Sequence, residues 1–404
     1  MTTRTSERPD PAPAAFPELC EPIGRSRWAR RAYGYDDIAL VPAPSTLDPE
    51  DVDTSWEVGG YRFEIPILAA AMDSVTDVRM AFLLHELGGA AVLNLEGLQT
   101  RYEDPTEPLD AIAAAPQERC VELLQDLYAR PVRADLVHRR IREIKAHGAL
   151  AVAAVTPAAA PDLVPVAEEA GVDLLVVQST VVTARHRSSR GRGLDLRDLV
   201  RRTAVPVLAG NCVSSEQAMG LLEAGVAGVF VGVGPGAACT SRQVLGVGVP
   251  QATALWDVAA ARDAYYARTG RYVPVIADGG LRVGGDLAKA IACGADAVML
   301  GSALARAEEA PGRGFHWGMA TPHAALPRGT RIRVGRTGTL RQILFGPARV
   351  DDGTQNLIGA LRTAMGLCGA ETIRAMHNAE IVLAPSIATE GKVEQFAQRV
   401  GQGR

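Results

Sequence analysis

One unit recurs along this chain: a helical stretch, a Gly-Ala or Gly-Val turn, then a short apolar run. The runs are Ile65–Ala70, Ala90–Leu93, Ala149–Val155, Asp173–Gln178, Pro206–Gly210, Gly228–Gly232, Pro274–Ala277 and Ala297–Gly301, eight in all. They lack polar alternation, as strands buried on both faces of a parallel sheet require. Helical patterns at Pro161–Ala170, Ser215–Ala224 and Gly285–Cys293 separate them, the first opening on a proline that a first helical turn tolerates. Such alternation implies right-handed crossovers. Eight units favour closure into a (β/α)8 TIM barrel, with a doubly wound open sheet as the alternative.

Two segments interrupt the rhythm. Residues 99–147 are charged and mostly helical, and 306–350 are rich in Gly, Pro and Arg before helical signal resumes at Asn356–Met365. Neither is long enough for a second ordinary domain, so 26–404 is expected to be one catalytic domain with a helical insertion and a loop or flap region. Residues 1–25 open in Pro, Ala and Thr with no apolar core, which predicts a disordered tail rather than a signal peptide.

Composition narrows the functional classes. A net charge of −4 argues against a general nucleic-acid or membrane surface, and no apolar stretch is long enough to span a bilayer. The six cysteines are scattered without CxxC spacing, which suits a reducing cytoplasm and argues against disulfides or structural zinc.

The chemistry-bearing residues cluster where strands end. Gly232-Val233-Gly234-Pro235-Gly236 follows the sixth run and can turn its N–H groups toward an anion. It opens onto Cys239-Thr240-Ser241-Arg242, a thiol, two hydroxyls and a fixed cation that would favour the thiolate. The bland reading is a buried structural cysteine. Asp278, ending the seventh run, can accept two hydrogen bonds from a ribose diol, or it caps the next helix. Gly301-Ser302 after the eighth run stands where barrels hold phosphate. Met72 after the first run is core filler or a plate for a flat base, and Asn211 offers a donor and an acceptor. The pair His316 and Trp317 is ambiguous, reading as surface or packing residues before a catalyst, and Arg328, Arg331, Arg333 and Arg336 read as a solvated face.

These motifs resemble the IMP dehydrogenase/GMP reductase family from about Ala32 to the C-terminus. The Cys loop, continuing through Gly246-Val247-Gly248-Val249-Pro250-Gln251, is close to the family signature. Asp36-Asp37 with Leu40-Val41-Pro42, Ile65–Thr76 and Ala277–Gly301 support it. The chain is most similar to a bacterial subgroup without the regulatory CBS pair. His316–Pro322, Leu326–Arg331 and Thr389–Lys392 carry that likeness, and the short 99–147 insertion fits it.

The resemblance implies a mechanism. Cys239 would attack C2 of IMP while hydride leaves to NAD, and water would hydrolyse the thioimidate to XMP. Asp278 would bind the ribose, while Gly236, Gly280, Gly301 and Ser302 hold the phosphate. Met72, Gly318 and Met319 would pack about the base. Gln178, Asn211, Gly232, Gly234 and Arg242 would meet the dinucleotide. Backbone carbonyls of Gly234, Gly236 and Cys239 would bind K+, completed by Glu390 and Gly391 of a neighbouring subunit in a homotetramer.

Three departures from the family pattern bear on the reaction. Only Ala320–Leu326 separates Met319 from Pro327, so the flap is shortened and lacks the Arg-Tyr pair that activates water. Hydrolysis then needs another base or a rearranged loop, with Arg328, Arg331 or Ser241 as candidates. Gln178 replaces an aspartate, and Arg328 replaces the Glu or Gln that contacts the purine. IMP dehydrogenase is therefore the first expectation. GMP reductase acting with NADPH is the second, and a nucleotide-binding regulator without turnover the third.

Overall fold

The computed structural model of the protein describes residues 20–23, 27–186, 193–318, 330–384 and 391–398. The expected runs form strands β1 (Ile67–Ala69), β2 (Ala90–Asn94), β3 (Val152–Val155), β4 (Leu174–Gln178), β5 (Val207–Cys212), β6 (Gly228–Val231), β7 (Val275–Asp278) and β8 (Ala297–Leu300). They pair in parallel and in sequence order, and β8 returns to β1 to close the barrel. The open-sheet alternative is thereby excluded.

Alternation along each strand divides the core in two. Leu68, Val92, Val152, Val176, Phe230, Ile276 and Met299 fill the barrel interior. Ile67, Ala91, Leu175, Val229 and Val298 instead meet the surrounding helices. These are α1 (Val78–Glu86), α2 (Ala134–Ala146), α3 (Ala160–Ala170), α4 (Leu196–Arg202), α5 (Ser215–Ala224), α6 (Gln251–Thr269), α7 (Gly284–Ala292) and α8 (Leu357–Leu367). Local signals end them where expected. Asp77 and Ser214 cap the starts of α1 and α5 through their side chains, while Gly171, Gly225 and Gly270 close α3, α5 and α6 in the left-handed conformation. A hairpin that periodicity does not reveal, Trp56–Val58 with Tyr61–Phe63, plugs the N-terminal mouth, its Trp56 and Phe63 rings 5.3 Å apart. The opposite, C-terminal mouth carries the strand ends.

The interruptions resolve differently from expectation. The segment 99–147 is helical as predicted, but α2 within it is the crossover helix between β2 and β3. The true insertion is the helix pair Thr106–Ala114 and Cys120–Ala129. It forms a satellite core of Leu98, Leu109, Ile112, Cys120, Leu124 and Tyr128 around Trp317. Phe315–Trp317 pairs with Arg331–Arg333 in a two-stranded ribbon.

Arg331 is no solvated residue. It is 6% exposed, stacks on Phe315 and donates to the carbonyls of Ile112 and Ala115. The last turn of a helix leaves such carbonyls without partners, and a buried guanidinium supplies them. Cys20–Pro22, inside the range expected to be tail, pairs with Trp28–Arg30. Ile381–Leu383 adds to Ile38–Leu40. No helix among the described residues is long and apolar enough to cross a membrane.

Candidate active site

A cavity of about 1090 Å³ opens at the C-terminal mouth. Residues predicted from separate stretches of sequence line it together. β4 and β7 deliver Gln178 and Asp278, and β5 delivers Asn211. Met72 enters after β1, Gly301 and Ser302 after β8, and Gly318 after the ribbon strand. Gly232, Gly234, Gly236, Cys239, Ser241 and Arg242 come from the loop after β6, and Gly280 from the one after β7. Gly391 is exposed and does not line the cavity. Met319, Arg328 and Glu390 lie outside the described residues.

Backbone freedom builds the Cys loop. Gly232 leaves β6 at φ 147°, and a Cβ there would stand 2.1 Å from the Asp278 carbonyl oxygen, so no side chain is tolerated. The Cys239 N–H then donates to the Gly236 carbonyl at 3.0 Å and closes the turn. Cys239 is exposed, whereas Cys120, Cys212 and Cys293 are buried. Burial pushes the thiols of Cys212 and Cys293 up to about 12, which leaves them inert. The Cys239 thiol lies 3.3 Å from the buried Ser241 hydroxyl. Arg242 does not meet the expectation that it faces the sulfur. Its guanidinium donates to the carbonyls of Val233, at 3.3 Å, and Val249, at 2.8 Å. A tight Gly-rich turn leaves these carbonyls without ladder partners, and the cation is spent on them.

The floor is a hydrogen-bonded trio. Asp278 Oδ2 accepts from Asn211 Nδ2 at 2.8 Å and Gln178 Nε2 at 2.9 Å. Burial pushes its carboxyl up to about 6 against the opposing pull of those two donors. The aspartate is therefore not a helix cap. Its main-chain oxygen is held by Gln251 Nε2, at 3.2 Å, which also takes the Val231 carbonyl at 2.7 Å.

One wall shows what the sequence reading missed. His316, expected as a packing residue, is 3% exposed but lines the cavity beside Gly301. Its Nδ1 lies 2.9 Å from Ser74 Oγ, and burial lowers its pKa to about 4, so the ring is neutral. Behind it, Trp317 Nε1 donates to Tyr128 OH at 3.0 Å, which donates to Asp73 Oδ2 at 2.6 Å. Burial pushes Asp73 up to about 6. Tyr35 and Glu96 also line the cavity, and Glu96 accepts from the Thr156 N–H at 2.7 Å. No local motif announces these residues, because each acquires its place only when distant loops converge.

This arrangement joins an exposed thiol, a hydroxyl beside it, a carboxylate floor and a Gly-Ser turn around one cavity. Residues 32–395 match the family described as IMP dehydrogenase / GMP reductase domain. An uncharacterized oxidoreductase of Mycolicibacterium smegmatis is 42% identical over 356 residues, covering 86% of this chain and 95% of the relative. The inosine-5'-monophosphate dehydrogenase of Yersinia pestis is 30% identical, with 87% of this chain and 93% of the relative covered. The crystal structure of an IMP dehydrogenase/GMP reductase-like protein from Corynebacterium glutamicum superposes with a TM-score of 0.85 at 35% identity, covering 90% of this chain and 98% of that one. With this match spanning the barrel and every loop around the thiol, the chain is a member of the IMP dehydrogenase/GMP reductase family, an oxidoreductase built on a (β/α)8 barrel.

Proposed function

We propose that the protein is an NAD-dependent IMP dehydrogenase that converts IMP to XMP through a covalent adduct on Cys239. The observation that carries the reading is the placement of the one exposed cysteine, with Ser241 at 3.3 Å, on the rim of the cavity that has Asp278 as its floor. In the forward step the Cys239 sulfur bonds to C2 of the purine, and the hydride on C2 departs. Ser241 would relay the thiol proton, accepting it from the sulfur as its own passes to solvent, and the relay would run in reverse when the thiol is regenerated. Water then adds to the thioimidate carbon and the C–S bond breaks, which regenerates the thiol and gives XMP. Asp278 would orient the ribose, and the turn at Gly301-Ser302 would receive the phosphate.

The cavity, about 1090 Å³, lies at the upper end of the usual range of roughly 300–1,000 Å³ for a small-molecule site, and reading it as a site for two ligands rests on the family. NAD would supply the hydride acceptor there, with Asn211 and Gly234 at hand. The carbonyls of Gly234, Gly236 and Cys239 are hard oxygen donors from one loop, a set suited to K+. Glu390 and Gly391 from a neighbouring subunit would complete that set, which makes the active form a homotetramer. The reading places a single catalytic domain in the cytoplasm.

The named dehydrogenase relatives favour this direction. Reductive deamination of GMP with NADPH is the second reading, favoured by the shortened Ala320–Leu326 stretch, since a reductase has no intermediate to hydrolyse. A spectrophotometric assay with IMP and NAD, and separately with GMP and NADPH, decides between them. NADH formation that K+ stimulates and Cys239→Ala reduces at least about a thousandfold is the expected result. Nucleotide binding without turnover in either assay would leave a regulator.

A further inference from the structure

The amide orientations on the cavity floor are forced, and they have a consequence for ligand selection. Asn211 Nδ2 lies 2.7 Å from the Gly232 carbonyl and 2.8 Å from Asp278 Oδ2. Both partners only accept, so the NH₂ group of Asn211 must face them. Its Oδ1 then faces Gln178, 3.1 Å from Nε2, and that same nitrogen reaches Asp278 Oδ2 at 2.9 Å. All four amide hydrogens are thereby assigned. Gln178 Oε1 and Asp278 Oδ1 are left without a hydrogen-bond partner among the described residues, and both side chains line the cavity.

We propose that Gln178 is a specificity-determining residue of the nucleotide site, which holds Asp278 in place through Nε2 and offers Oε1 as a second acceptor for the vicinal diol of a ribonucleotide. This deepens the reading of the cavity as a purine-nucleotide site and rests on it. It moves Gln178 from the dinucleotide, where the family resemblance would put it, to the ribose. A diol has two donors, and one carboxylate oxygen with one amide oxygen would match them without requiring two anions in the site. The groups around Asp278 support the pairing. Val231 and Met299 on the two adjoining strands, and Asn211 and Gln178 on β5 and β4, do not ionise, and Tyr35 is a titratable neighbour.

The test measures IMP, 2′-deoxy-IMP and 3′-deoxy-IMP affinity by calorimetry, and KM for NAD, in the wild type, Gln178→Met and Gln178→Glu. Gln178→Met is expected to weaken IMP binding about tenfold or more. It should also abolish discrimination against one of the two deoxynucleotides, since that hydroxyl no longer has its partner. Gln178→Glu, nearly the same shape, sets a second carboxyl beside Asp278 and is expected to move the acid limb of IMP binding to higher pH. Unchanged IMP affinity and discrimination with a raised KM for NAD would assign Gln178 to the hydride acceptor and overturn the proposal. Should the Met variant not fold, the pH profile of the Glu variant decides: an unshifted limb overturns it. The IMP and deoxy-IMP affinities are read without turnover, so loss of the dehydrogenase reading alone would leave them standing, and unchanged affinity and discrimination would by themselves overturn the proposal.

Discussion

At the residue scale, burial acts in opposite directions on two groups of the same wall. Asp73, pushed up to about 6, binds its proton more tightly in the folded protein than in the unfolded chain. Its contribution to stability is full below the unfolded value near 4 and is lost as pH rises through about 6. His316, lowered to about 4, contributes stability above its unfolded value near 6.5, and this is lost as pH falls. The expected outcome is that His316→Gln narrows its stability gap to the wild type by about 2 kcal/mol between about pH 7.5 and about pH 5. Asp73→Asn should narrow its own gap in the other direction. Urea unfolding at the two pH values checks both signs, and parallel shifts in the two variants would contradict them. Neither group was legible from its neighbours in sequence. His316 beside Trp317 reads as filler until the ribbon folds it against Gly301.

At the element scale, the insertion Thr106–Ala129 is tied to the site by two buried connections. Tyr128 bridges Trp317 and Asp73, and Arg331 holds the carbonyls that end the first insertion helix. Removing Arg331 leaves the buried Ile112 carbonyl and the half-buried Ala115 carbonyl without this donor, at roughly 1–3 kcal/mol for the buried group and less for the other. Arg331→Met is therefore expected to lower stability by about 2–4 kcal/mol. Amide exchange should accelerate first in 106–129 rather than in the barrel strands. Exchange that accelerates evenly over the chain would refute the local strut. The composition of 99–147 announced helices, but could not distinguish the crossover helix α2 from the true insertion. That distinction depends on which apolar face meets α1 and α3 and which meets Trp317.

For the whole molecule, the cavity couples ligand binding to the stability of the barrel, since the strand ends that line it come from all parts of the chain. IMP at a hundredfold its Kd should raise the unfolding free energy by about 2.7 kcal/mol. Differential scanning calorimetry with IMP alone, and then with IMP and NAD, is expected to show successive increases in Tm. A second ligand without further effect would mean that the additional space is not a dinucleotide site.

By itself, the sequence determined the eightfold alternation, the strand positions to within three residues, and the Gly-rich loop that presents Cys239. These are local properties: apolar runs bury on both faces, and a residue without Cβ turns where others cannot. Only the tertiary structure decided closure over an open sheet, because that depends on β8 meeting β1. It also turned Arg242 from the sulfur to two carbonyls, buried Arg331, and brought Gln178, Asn211 and Asp278 together. Such contacts join residues as much as 219 positions apart. Which buried polar group pairs with which is settled by three-dimensional proximity, and no spacing along the chain encodes it.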